Sequence, residues 1–472
     1  MKPRTSAITT LSTLVSTLAL ALSVTIATLV ASAPGEVLVS NRNDAGPGSF
    51  RDAIDQANLD PAVARIQFVP RGLNVTLQHP IEFTGGQALT IDGSGAKLSG
   101  AHLAPGEPAF RATGGANLTV SNLMVRNAPA EGIVVDVPRN ATGTILLSLS
   151  KVQIIDNLGH GVLVNDQDDP STQDGVPPNP AGSAASVVVS VVDSRFLRNG
   201  YSVSDRDGLR VNEGGDGDLL ITIIGSVAQD NAADGIEVDE RGAGDVRVGM
   251  LDSKVLGNGR FDPADLDDGF DIDENGDGSI VGVILLSAAN DNYEEGFDFN
   301  ENDAGDLRVD MLRVTASRNG EEGIDYEEDD DFAGGGDLVS TMTQVTADGN
   351  GVVGGDAGLK IREKGIGNLD VTVNRVHTSE NLIGGISIRE DEVGSLVASI
   401  SAATSVGNTG RGIDFDENSG GDLTATVIKS TSLTNIGLDL RADQQAPGAG
   451  SFVVSKVTFG TTGGSVIPAV GP

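Results

Sequence analysis

The sequence predicts an all-β chain wound as a parallel β-solenoid, with about a dozen coils of ~27 residues and a short N-terminal capping helix. Three observations carry that expectation. A phrase of Gly, apolar, any, apolar, any, Glu recurs in one register. Its apolar places alternate with polar ones, which is the parity of a half-buried strand. No segment of the repeat has the apolar period of a helix. The phrase reads Gly208-Leu209-Arg210-Val211-Asn212-Glu213, then Gly235-Ile236-Glu237-Val238-Asp239-Glu240. It returns at Gly269, Gly296, Gly323, Gly358, Gly385 and Gly412, each time with Glu five residues on. Most copies lie 27 residues apart, and the two longer intervals carry inserted loops around Phe261–Asp267 and within Asp329–Asp356. A second alternating stretch follows a Gly-Asp turn, as in Asp306-Leu307-Arg308-Val309-Asp310-Met311. A third, Val314-Thr315-Ala316, leads to a turn at Asn319. Three short strands and three turns make one coil.

Ahead of the repeat, Lys2 and Arg4 followed by the uncharged run Leu11 to Val30 and Ala31-Ser32-Ala33 read as an export signal over 1–33, with an uncleaved anchor as the alternative. A cap region spans 34–84, holding an amphipathic helix at 49–58. Ser49 with Asp52 forms its capping box, and Phe50, Ala53, Ile54 and Ala57 form its apolar face. The solenoid occupies 85–460 and a tail 461–472. Export places the chain outside the cell or in its envelope.

The chain has 472 residues, with 67 Asp+Glu against 31 Lys+Arg and a formal charge of −36. That balance excludes a basic nucleic-acid surface. The absence of Cys excludes disulfides and thiolate metal sites. With 63 Gly, no Trp, 13 Phe and 3 Tyr, the composition suits thin coils lined by small aliphatic residues.

From residue 37 to 459 the chain resembles right-handed parallel β-helix proteins of the pectate-lyase-like superfamily. The opening Asn43-Asp44-Ala45-Gly46-Pro47-Gly48-Ser49-Phe50-Arg51-Asp52-Ala53-Ile54 and the stretch Leu89-Thr90-Ile91-Asp92-Gly93-Ser94-Gly95 carry that resemblance. So does a turn asparagine at Asn157, Asn231, Asn292, Asn319, Asn381 and Asn408, four residues before each Gly. The resemblance implies a ladder of these asparagines, and polysaccharide as substrate or ligand. Gly159-His160-Gly161 is similar to a polygalacturonase motif. The paired aspartates, Asp168-Asp169, lie downstream rather than upstream, and the Arg-Ile-Lys motif is missing, so His160 reads as an ordinary turn residue.

Stacked coils lie about 4.8 Å apart, so Glu213, Glu240, Glu274, Glu301, Glu328, Glu363, Glu390 and Glu417 form a column of like charge. Asp271, Asp298 and Asp325, with Asp273 and Glu327, add acid to it. Oxygen-only clusters suit Ca²⁺. The candidate metal ligands are Asp271, Asp273, Glu274, Asn275, Asp277, Asp298, Glu301, Asp325 and Glu328. Asp271-Ile272-Asp273-Glu274-Asn275-Gly276-Asp277-Gly278 resembles the first half of an EF-hand loop, yet Gly282 stands where a bidentate Glu belongs. These features point to a non-catalytic exported β-helix that binds Ca²⁺ and a cell-surface or matrix polymer. The alternative is a Ca²⁺-dependent polysaccharide lyase acting by β-elimination, with Lys360, Arg362 and Arg389 as its catalytic basic patch. The acid could instead simply solvate the surface.

Overall fold

The computed structural model describes residues 35–166, 182–202, 205–262, 266–329 and 335–470. The expected export signal and Asp168-Asp169 lie outside the described residues. The chain winds into a right-handed parallel β-helix of about 15 turns. Its strands form one parallel sheet of 28 strands and one of 14. Each repeat coil gives one strand to the smaller sheet and two to the larger, as in Ile236–Glu240, Val246–Leu251 and Lys254–Leu256. The sequence reading expected about a dozen coils. The additional ones lie N-terminally, where Gly35–Val39, Val63–Phe68 and Leu89–Ser99 already stack without the Gly…Glu phrase that marks later coils. Beyond residue 460, Thr462–Gly463 and Ala469–Val470 still add to the two sheets.

Helix α1 (Phe50–Leu59) closes the first coil. Ser49 caps it by accepting the Asp52 amide, while Asp52 accepts the Gly48 amide in return. Phe50, Ala53, Ile54 and Ala57 are its buried residues, and the Phe50 ring meets Phe68 at 5.1 Å between centroids.

Register is one-to-one through the repeat, so Leu209, Ile236, Phe270, Phe297 and Ile324 stack as one inward row. Between the two larger-sheet strands a single left-handed residue bends the chain: Asp252, Leu286, Arg313 and Gln344 all have φ near +50°. A glycine four residues after each of several ladder glutamates has a different cause. A Cβ at Gly278 would lie 1.8 Å from the Gly244 carbonyl oxygen, and one at Gly305 would lie 1.5 Å from that of Gly278. Stacked turns at this point accept no side chain.

The asparagine turn is a continuous ladder, longer than the spacing rule finds. Asn157 Nδ2 donates to Asn199 Oδ1 at 2.9 Å, and the chain runs on through Asn231, Asn258, Asn292, Asn319, Asn350, Asn381, Asn408 and Asn435. Asn199, Asn258 and Asn350 escape the four-residue rule because residues are inserted between them and the next Gly. Each rung also accepts the backbone N–H of the preceding asparagine, as Asn292 does from Asn258 at 3.1 Å. Replacing Asn292 by Ala strands the Asn258 amide and breaks the link to Asn319, leaving buried donors without acceptors. The expected cost is about 2–3 kcal/mol, read as a lowered midpoint in urea unfolding with an unchanged slope.

Candidate cation site on the outer acidic face

Parity sorts the acidic residues of the smaller sheet onto two opposite faces. Places one, three and five after each Gly turn inward, so all eight column glutamates are buried to 0 % exposure. Places two and four turn outward. Glu274, Glu301 and Glu328 therefore lie on the far side of their strands from Asp271, Asp298 and Asp325. The sequence reading had placed both sets in one site. Asn275 pairs with Asn302 of the next coil at 3.1 Å, and Asp277 is exposed in the turn beyond Glu274.

The outward row at place two runs Arg210, Glu237, Asp271, Asp298, Asp325, Lys360 in register. Beside it stands a row that sequence reasoning passed over, immediately before each Gly: Asp207, Asp234, Asp268, Glu295 and Glu322. Its signal was an acid at that place in five successive coils. Each of the first three accepts the next coil's backbone N–H: Asp207 from Asp234 at 3.1 Å, Asp234 from Asp268 at 2.5 Å, Asp268 from Glu295 at 2.5 Å. One carboxylate oxygen of each is thus fixed by the backbone.

Together the rows make two trios. Asp234, Glu237 and Asp271 bring one oxygen each within 4.8 Å of one another, and Asp268, Asp271 and Asp298 do the same. Asp271 belongs to both and is only 9 % exposed. Its Oδ1 is buried without a hydrogen-bond partner, as is Oδ1 of Asp298. Two carboxylates at such a separation repel by about 3.5 kcal/mol at an effective dielectric of 20. Burial, then the charges of Asp273 and Asp298, push the Asp271 carboxyl well above its usual range. Burial raises Asp268 to about 6.

Where the chain has a cation of its own, it uses it. Arg210, 4 % exposed, meets Glu237 at 2.6 Å, Asp205 at 2.5 Å and Asp239 at 2.7 Å. Lys360 Nζ meets Asp325 at 2.6 Å and Glu327 at 2.5 Å. In the two coils between these, the charges that act most strongly on Asp271 and Asp298 are all other carboxylates. Asp268, Asp271 and Asp298 are the uncompensated part of the row. An all-oxygen, anionic trio with buried unsatisfied oxygens fits Ca²⁺, which takes six to eight oxygen ligands and fills the remainder with water.

The three basic residues expected to do chemistry lie together on neighbouring coils but are paired. Burial alone would lower the Lys360 ammonium, yet Asp325 and Glu327 override it and hold the proton well above the ordinary range. Burial would likewise raise Glu327, and Lys360 with Lys364 pulls it down to about 2. Arg362 meets Asp391 at 2.5 Å, and Arg389 binds the same carboxylate. Arg362, Arg389 and Asp391 line an open cleft of about 710 Å³ with Asp329, Lys364 and Asp416. Phe299, Tyr326 and Phe415 are fully buried, with Phe299 and Tyr326 stacked at 5.4 Å, so none serves as an exposed sugar platform. His160 is buried against Asp207 at 3.1 Å, which itself borders Arg210, so it belongs to that charge network.

Among the described residues no helix is long and apolar enough to cross a membrane. No family model and no curated protein sequence matches the chain. Solved structures do match in shape. Pectate lyase Pel9A shares 16% identity over 70% of this chain and 80% of its own, at a TM-score of 0.44. The periplasmic alginate epimerase AlgG shares 13% over 91% and 95%, at 0.39. The A-module of the Azotobacter vinelandii mannuronan C-5 epimerase AlgE4 shares 13% over 80% and 95%, at 0.36. At these identities the likeness is one of fold, the parallel β-helix.

Proposed function

We propose that the chain is an exported, non-catalytic β-helix whose outer acidic face binds Ca²⁺ and, through it, an anionic polymer of a cell surface or matrix. One observation carries this reading. The acidic row is neutralised by Arg210 at one end and by Lys360 at the other, while Asp268, Asp271 and Asp298 between them have no such partner. A bound divalent cation removes the mutual repulsion and leaves coordination positions for a second set of carboxylates from outside. Asp325 continues the place-two row beyond Asp298, and Asp273 stands two residues from Asp271 on the same outward face.

The second reading, a Ca²⁺-dependent lyase, draws on the cleft lined by Arg362 and Arg389. Its difficulty is the base. A lysine that takes a proton at neutral pH needs a lowered proton affinity, and Asp325 and Glu327 drive Lys360 the other way.

Calorimetric titration of the intact chain with Ca²⁺ at low salt tests the first reading. Asp271→Asn removes the residue shared by both trios and is expected to weaken binding at least tenfold. A hundredfold excess of Ca²⁺ over its dissociation constant adds about 2.7 kcal/mol per site, so the melting temperature rises with Ca²⁺ and falls with chelator. Protons compete for the same oxygens: all three carboxyls hold their protons more tightly than free aspartate, so binding weakens as pH falls, with Asp268 taking up its proton last, at about 6. No heat of binding and a melt indifferent to chelator would overturn the reading.

A polyuronate panel separates the two functions. The binding reading gives no unsaturated, UV-absorbing product. Lys360→Gln frees Asp325 and Glu327 and is expected to raise the Ca²⁺ stoichiometry by about one. Product formation that disappears in Lys360→Gln supports the lyase instead.

A further inference from the structure

The inner glutamate column is distinct from the outer face and is not used by the function proposed above. Its carboxyls tuck under the turns that follow them. Gly215 N donates to Glu213 at 2.9 Å, Gly242 N to Glu240 at 2.8 Å, Gly365 N to Glu363 at 2.7 Å and Ser419 N to Glu417 at 2.8 Å. The glutamates pair in register, coil upon coil, from Glu213 to Glu417. One oxygen of each rung is thereby served by the backbone where such a bond forms. The other is not: Oε2 of Glu240, Glu274, Glu301, Glu328, Glu363 and Glu390 is buried and has no donor. Among the described residues, the side chains that bear on these carboxyls across the coils are the neighbouring carboxyls, as between Glu240 and Glu274 or Glu363 and Glu390.

The two ends of the column show how a rung is satisfied. Asp166 stands in register before Glu213, and its own oxygens accept Ser183 N at 2.9 Å and Ser183 Oγ at 2.7 Å. Gln444 stands in register after Glu417 and donates its Nε2 to Glu417 Oε2 at 3.2 Å. A neutral side chain with both a donor and an acceptor therefore fits a rung. A protonated glutamate is such a side chain, isosteric with glutamine.

We propose that the inner column is a proton-held spine: at neutral pH shared protons, rather than metal ions, link the glutamates from Glu213 to Glu417 by O–H···O bonds, and their loss in alkaline solution unzips the solenoid from within. Two carboxylates that share a buried site cannot both ionise, so one keeps a proton and donates it to the other. Burial comes first among the causes, and the neighbouring glutamates follow; together they push Glu240 to about 9 and Glu274 and Glu301 to about 10. The titratable groups facing the column from other elements are Asp166 at its first rung and Asp303 in the turn after Glu301. Both are acids, and no lysine, arginine or histidine is among the groups that govern these rungs.

The sign follows from linkage. A free glutamate loses its proton near 4.3, whereas these rungs hold theirs to about 9 or 10. Between those limits the folded chain binds more protons than the unfolded one, so stability falls steadily as pH rises through the window.

The test uses the whole chain with Glu274→Gln and Glu301→Gln, chosen because Gln444 already occupies the last rung. Infrared spectra of the folded protein at neutral pH read the C=O stretch of protonated carboxyls. Subtracting each variant from the parent isolates the inner rungs from the outer aspartates. The expected result is a protonated-carboxyl band in each difference spectrum, unchanged by chelator and lost in alkali. Urea midpoints followed from pH 5 to about 9 are expected to show a pH slope reduced by about one proton per variant. Difference spectra at neutral pH with only carboxylate bands, or bands that a chelator alters, overturn the proposal, the second outcome in favour of a cation-filled column. If Glu274→Gln does not fold, Glu390→Gln carries the same readout next to the terminal rung. Failure of Ca²⁺ binding at Asp271 leaves this result untouched, since the two columns lie on opposite faces of the sheet.

Discussion

The whole molecule depends on one constraint: each coil lies in register on the next at the inter-strand distance, so each residue meets the one at the same place in the next coil, and along the glutamate and asparagine columns that is its own kind. That demand is harmless for apolar side chains, and one continuous core runs from Val39 to Val454, aliphatic for most of its length with Phe270, Phe297, Phe299 and Tyr326 packed ring on ring within it. It is severe for polar ones. A residue can be repeated along the stack only if it can bond to a copy of itself. The amide of asparagine is both donor and acceptor, so Asn157 to Asn435 closes into an unbroken ladder. Glycine satisfies the same demand by having nothing to place, which is why the turns at Gly278 and Gly305 approach backbone to backbone.

A carboxylate fails that test. It accepts only, and two copies repel. The structure answers in two different ways on the two faces of the smaller sheet. On the outer face cations intervene, from the chain itself at Arg210 and Lys360 and, on the reading developed above, from solution at Asp268, Asp271 and Asp298. On the inner face the glutamates are buried to 0 % exposure. A proton is the smallest cation that turns an acceptor into a donor, and the amide of Gln444 marks the same chemistry in a neutral residue. The two answers fall on opposite sides of one strand: Glu274 faces inward at 0 % exposure, and Asp271 faces outward at 9 %.

Much of the fold was legible because the repeat is a matter of spacing, and spacing survives composition. The Gly…Glu phrase, the helix of Phe50, Ala53, Ile54 and Ala57, and the asparagine turns all follow from periodicity. The N-terminal coils were undercounted because strands such as Val63–Phe68 carry no repeat mark. The faces of the acidic residues were harder. Parity alone puts Glu274 with Phe270 and Ile272 on the inward side, five, one and three places after Gly269. A glutamate is so seldom fully buried that the pattern read as surface charge, and two opposed columns were merged into one. The row Asp207, Asp234, Asp268 escaped notice because it falls outside the alternating phrase, at the join between loop and strand. What places it there is a hydrogen bond to the next coil's backbone, and no single-sequence pattern announces such a bond.

The formal charge of −36 is therefore a property of the unfolded chain more than of the folded one. Every inner rung that keeps its proton subtracts one negative charge, and every outer acid held by Arg210, Lys360 or Arg441 is neutralised by a partner already counted. A solenoid assembled this way carries its stacking instructions in the polar residues as much as in the core. A coil slipped by one residue turns its apolar row away from the core, so the apolar rows resist the slip. The same one-residue slip sets a column glutamate against a place-four residue such as Asp239, Asn300 or Arg362 in place of its own copy. The acidic columns and the hydrophobic rows therefore specify one and the same register.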